Sequence, residues 1–162
     1  MNLPVGEAVA RMVSFDESRA DERIAQLLNA GFSGYVVATA EGLAGIEEAV
    51  LLIRGNAVIG AIFEAVKSGA IFFGLDALRL SLNLLKAKKG VFDVNALSSQ
   101  QIDLIIAFNE KVQLLQPVDM QTFGRLLPAE YRPQLVHDVL HGSQGPADDK
   151  EKVLKRFGLG SI

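Results

Sequence analysis

Three apolar runs separated by glycine-bearing turns stand in the first half of the chain: SGYVVATA, EEAVLLIR and AVIGAIFEA, all within residues 31–65. The turn Arg54-Gly55-Asn56-Ala57 divides the last two. A primed hairpin turn needs positive φ at its first central residue, and glycine adopts it without steric cost. The pattern therefore predicts an antiparallel meander. Ahead of it, Val5 to Val13 alternates. Val5, Glu7, Val9, Arg11 and Val13 share one parity, and Ala8, Ala10 and Met12 the other, which predicts a short strand. Residues 18–30 then carry Ala20, Ile24, Leu27 and Leu28 at helical spacing, with Asp16 or Ser18 as candidate cap and Gly31 as the stop.

Beyond the meander, Lys67-Ser68-Gly69 marks a turn and AIFF a further strand. Leu75, Leu78, Leu82 and Leu85, widened by Leu80 and Leu84, predict a well-buried helix over 75–89. Lys86, Lys88 and Lys89 complement its carboxyl-terminal end. VFDVNAL reads as a strand. Ser98 and Gln101 form a capping box that opens a helix running to Gln116, closed by Pro117. This helix is apolar around much of its circumference (Ile102, Leu104, Ile105, Ile106, Phe108, Val112, Leu114, Leu115). After Pro117 come short kinked helices, the turn-rich linker SQGPADD and a charged final helix in DKEKVLKRFGLGSI. The expected fold is α+β. A mostly antiparallel sheet of about four to six strands is covered on one side by helices 18–30, 75–89 and 98–116, with a helical tail lying across it. A soft boundary at Pro117 separates a sheet-and-helix domain, 1–116, from a helical appendage, 117–162.

Composition narrows the functional classes. The 162 residues are 49% apolar, ample for a core, and carry a net charge of −3 without a long block of one sign. No cysteine is present, which removes thiol catalysis, cysteine-based zinc sites, iron–sulfur clusters and disulfides. The start, MNLPVGEAVARMV, lacks the basic and apolar regions of a signal peptide. The most apolar stretch, Ala57 to Ala87, is interrupted by Glu64, Lys67, Asp76, Arg79 and Lys86, so no membrane span of about 20 apolar residues is expected. The expectation is a soluble cytoplasmic protein.

Candidate chemistry is sparse. His137 and His141, four apart in LVHDVLHG, share a helix face that a divalent metal can bridge, but a zinc site needs a third ligand. They are taken as partly exposed histidines, with no metal and no cofactor expected. Glu47 and Glu48 open a strand, where adjacent side chains point to opposite faces and cannot share a substrate. One acid is expected on the solvent face and the other in a turn or at an edge. GLAG at 42–45 and GLGS at 158–161 lack the lysine of a phosphate loop, and no GxSxG is present. KAKKG at 86–90 is the only basic cluster, so no nucleic-acid partner is expected.

Asn83, Asn109 and Glu110 stand out as polar residues in apolar helices, expected to face solvent or to bond backbone groups. The surplus apolar surface of helix 98–116 needs cover, from the tail or from a second subunit. The leading expectation is a non-enzymatic protein–protein interaction or regulatory scaffold module, a homodimer. The alternative is a small-molecule-sensing domain whose pocket is lined by Tyr35, Asn83, Asn109 and Glu110. An enzyme using Glu47, Glu48 and Glu110 as acids ranks third.

The runs NLPVG, GFSGYVV, GIEEAVLL, GNAVIGAIFEA, GLDAL with Asn83 after it, GVFDV and IIAFNEKV occur in this order. As a set they resemble an archaeal family catalogued as a domain of unknown function, over residues 1 to about 116. A more distant likeness, carried by Gly34, Gly55, Ala77 and Gly90-Val91-Phe92, is to the amino-terminal module of PatA-type response regulators. The first resemblance implies an archaeal cytoplasmic protein with no catalytic residues to carry over. The second implies a regulatory or scaffolding role.

Overall fold

The computed structural model describes residues 3–43 and 45–142. Its strands are β1 (Glu7–Ser14), β2 (Gly34–Gly42), β3 (Gly45–Arg54), β4 (Ala57–Ala65), β5 (Ala70–Phe73), β6 (Gly90–Ala96) and β7 (Gln113–Asp119). The helices are α1 (Ala20–Asn29), α2 (Gly74–Leu84), α3 (Ser99–Phe108), α4 (Met120–Leu126) and α5 (Leu135–His141). At the predicted turn, Gly55 takes φ +63° and Arg54 pairs with Ala57 across it. The meander β2–β3–β4 therefore forms as its pattern dictates. The open sheet runs β1-β6-β2-β3-β4-β5, and β7 pairs with the other end of the β4 edge. Every pairing is antiparallel. The α+β class is confirmed.

Period-2 alternation gives the sheet two apolar faces, each with its own core. Val36, Ala38, Leu51, Ile53 and Phe63 face a large core completed by α1, α2, α4 and α5. Tyr35, Val50, Leu52 and Ile62 face a smaller one completed by Ile102 and Ile105 of α3. Placement of all the helices on one side is thus corrected: α3 covers the opposite face. It reaches that face because β6 ends at Ala96 and the chain turns through Leu97, itself part of the smaller core.

The helix expected over 98–116 is also corrected. The Ser98–Gln101 capping box is present, but α3 ends at Phe108, where Asn109 leaves the helical region with φ −150°. A 3-10 turn, Glu110–Val112, then feeds β7. Strand pairing with Ala57, Val58 and Gly60 satisfies backbone groups that a longer helix would have bonded internally. Pro117, the suggested boundary, lies within β7, paired only on its β4 side, where a missing N–H is tolerated.

Two other expectations shift. The alternation of β1 is broken by register shifts between Ala8 and Ala10 and between Ala10 and Val13. Met12 takes φ +49° and is 67% exposed, while Ala10 and Val13 both pack on the large core. In α1 neither Asp16 nor Ser18 caps. Arg19 holds the cap position without a side-chain capping bond, and Ser18 belongs to the preceding turn, its N–H bonded to the Ser14 carbonyl. The stretch 75–89 leaves helical geometry after Leu84, and Lys86 reaches Asp21 instead of complementing a helix end. The short helices expected after Pro117 are α4 and α5, whose Phe123, Leu135 and Val136 enter the large core. The expected linker SQGPADD and final helix lie outside the described residues. No helix among the described residues is long and apolar enough to cross a membrane.

Candidate functional site

At one end of the sheet the β2–β3 hairpin, the start of α1, the loop after α2 and the segment 129–133 converge on an open cleft of about 970 Å³. Glu47 lies behind its wall. Register places Glu47 between Ala40 and Ala65 on the large-core face. Those small neighbours leave room for a carboxyl group, which is only 2% exposed. Tyr131 Oη donates to Glu47 Oε2 at 3.3 Å. Among the described residues, Glu47 Oε1 has no partner. Gly42 and Tyr131 both line the cleft, and a Cβ at Gly42 would collide with the Glu47 carboxyl group. Glycine at 42 is what lets the acid press against the cleft wall.

Burial pushes the Glu47 carboxyl above its ordinary pKa, and the single bond from Tyr131 offsets only part of this. The same burial, with the Glu47 charge beside it, pushes the Tyr131 phenol up to about 12. The expectation of one acid on the solvent face and the other in a turn or at an edge is therefore corrected for Glu47, because hairpin register carries it inward. Glu48 sits on the other face, opposite Glu64, so the two acids do not converge.

A second ionic feature borders the cleft. Asp21 is buried and binds Lys86 Nζ at 2.8 Å and Arg19 at 3.0 Å. Burial works against its charge, but the bonds from Lys86 and Arg19 outweigh it and hold the carboxyl below its usual range.

The residues proposed to line a sensing pocket are not brought together. Tyr35 is buried against α3, its hydroxyl donating to the Pro4 carbonyl oxygen at 3.3 Å. Asn83 is buried on α2, on the far side of the sheet. Its amide donates to the Arg132 carbonyl at 3.0 Å and accepts from Arg132 N–H at 2.8 Å. This pair clamps the strap 127–134, which carries Tyr131, over the large core. Asn109 caps α3 at its carboxyl end. Glu110 is exposed in a groove of about 590 Å³ between α3 and β7. The rings of His137 and His141 stand 4.2 Å apart on exposed positions. No third histidine or acid joins them in a metal-holding group among the described residues.

The α3–β7 groove is bordered by Asp103, Ala107 and Leu115, and Arg54 pairs with Asp103 across one end. Leu115 on its border is 93% exposed; Leu104 and Phe108, one turn apart on α3, lie outside its lining and are 53% and 87% exposed. Sequence reasoning placed Phe108 and Leu115 together on one helix and so missed that they stand on separate elements, the end of α3 and β7. It also missed Tyr131, whose only signal was an isolated tyrosine in the proline-bracketed segment PAEYRP.

No curated protein and no solved structure matches the chain. One family does, described as an uncharacterized protein conserved in archaea (DUF2226), over residues 1–109. That match runs from the amino terminus through β6 and α3, and so takes in Glu47, Gly42, Phe108 and the α3 side of the groove. Spanning about two thirds of the sequence, it shows that the chain belongs to this family of archaeal proteins.

Proposed function

We propose that this domain is a non-enzymatic interaction module that pairs with a second copy of itself through the face formed by α3 and β7. The observation that carries the reading is the exposure of Phe108 at the end of α3 and of Leu115 on β7, the latter bordering a groove of about 590 Å³. Single exposed apolar residues are ordinary, but Leu104 and Phe108 one turn apart on α3, together with Leu115 on β7, add up to apolar surface that water penalises. The same two elements supply both the exposed ring and the concavity. A two-fold axis through such a face sets each ring into the groove of the other copy, the isologous arrangement of most dimers.

The distribution of acids supports a non-catalytic reading. Glu47 and Glu48 point to opposite faces of the sheet, and Glu110 lies in the α3–β7 groove. General acid–base chemistry needs two such groups within reach of one substrate.

Sedimentation equilibrium over a wide concentration range tests the proposal. The expected result is a dimer for the wild-type chain and a monomer with unchanged circular dichroism for Phe108→Asp and Leu115→Asp. A wild-type chain that remains monomeric, or a dimer indifferent to both substitutions, overturns it.

A further inference from the structure

Self-association through α3 and β7 leaves the cleft at the sheet end unexplained. Three observations converge there. Among the described residues, Glu47 is buried with one carboxyl oxygen unpartnered. Its bond from Tyr131 is 3.3 Å long, beyond the usual 2.5–3.0 Å of an O–H···O bond and hence weak. The two residues that shield it, Gly42 and Tyr131, are themselves walls of a cleft of about 970 Å³, a volume suited to small ligands.

We propose that this cleft binds a small molecule carrying a primary ammonium group, which takes the place of the missing partner at Glu47 Oε1. A buried carboxyl group with an unfilled acceptor is costly, whereas a charge-assisted bond to a cation is roughly twice as strong as a neutral one. Tyr131 already supplies one neutral donor, and burial still outweighs it. What the site lacks is a positive charge. Oε1 lies against the cleft wall, because the carboxyl group fills the space a side chain at Gly42 would take. Tyr131 turns aside to admit the ammonium group, at the expense of one weak bond.

The other charges around the cleft fit this assignment. Glu41 from β2 and Glu130 from the strap add negative potential at its border. Lys86 and Arg19 are engaged by Asp21. Lys88 and Lys89, from the loop after α2, lie on the exposed rim, where solvent screens them. Tyr131 is the one titratable group bonded to Glu47.

The test is an NMR titration of the full chain with butylamine, using n-butanol and butyrate as matched probes of the same length. Backbone amides of Gly42 and Tyr131 report occupancy, and the Glu47 side-chain carboxyl carbon reports ionisation. Butylamine is expected to give saturable shifts at both amides and to lower the pH midpoint of the Glu47 carboxyl signal. Its affinity should fall about tenfold or more in Glu47→Gln, the equivalent of one pKa unit of coupling. Tyr131→Phe, which removes the competing bond, should bind at least as tightly as wild type and guards against a folding defect in the first variant. Unsaturable shifts, equal binding of n-butanol, or an unchanged Glu47 midpoint on saturation each overturn the assignment.

Discussion

A carboxyl group that is 2% exposed, with one oxygen bonded and the other bare, ties stability to pH in a direction opposite to most surface acids. Folding raises the Glu47 pKa. Above the ordinary glutamate value, near 4.3, the native state therefore holds a proton that the unfolded chain has released. The stability contributed by Glu47 is full below that value and falls as pH rises through its native pKa. Asp21 has the reverse sign: its depressed pKa gives stability that is present at neutral pH and lost on acidification. Comparing wild type with Glu47→Gln isolates the first effect. Urea unfolding at a series of pH values should show wild type losing stability relative to the variant between acid and neutral pH. Curves that stay parallel would show that Glu47 titrates as an ordinary surface acid. The sequence made Glu47 legible as an acid beside Gly45-Ile46 and separated it from Glu48 by strand parity. Its burial was hidden because it depends on Ala40 and Ala65 across the sheet, contacts that only register supplies.

The strap between α4 and α5 is held where Asn83 reads the Arg132 backbone as a neighbouring strand would, one N–H and one C=O. Asn83→Ala removes both bonds. Because Arg132 is exposed and its backbone can turn to water, the expected loss is about 1–2 kcal/mol, read by urea unfolding. Cleavage by chymotrypsin after Tyr131, in the same strap, should also quicken. Equal cleavage rates would mean that the apolar contacts of α4 and α5 hold the strap alone. Elements with a strong period or a chemical stop were legible in sequence: the meander with its Gly55 turn, α2 up to Leu84, and the capping box that opens α3. The failures share one cause. Residues 110–119 contain enough leucine and valine to continue a helical stripe, but Asn109 ends α3 and the open edge of β4 offers partners that local spacing does not encode. In β1 the alternation was real in sequence, yet two register shifts against β6 redirect it. Tertiary pairing won over local pattern in both places.

Across the whole molecule the two faces of the sheet are covered unequally. Among the described residues, four helices close the large core, while α3 is the one α-helix over the smaller one. A helix of ten residues is about 15 Å long and 10–12 Å across, whereas six strands at ~4.8 Å spacing span about 24 Å. α3 therefore leaves part of its face to other cover, and Leu104, Phe108 and Leu115 are the apolar groups at its border. Excess apolar surface was inferred from an over-long helix apolar around much of its circumference; in the shorter α3, Leu104 and Phe108 of that set stand exposed. If a second copy supplies the cover, association and folding are linked by mass action. The thermal midpoint of wild type should then rise with protein concentration, since dilution releases folded monomers that lack the contact. Phe108→Asp should make the midpoint independent of concentration and set it at the value wild type approaches on dilution. The substitution lies on the surface, so it should cost within about 0.5 kcal/mol in the monomer itself. A wild-type midpoint that stays fixed on dilution, with Phe108→Asp lowered by the same amount at every concentration, would make Phe108 a stabilising contact within one chain and remove the physical basis for a dimer.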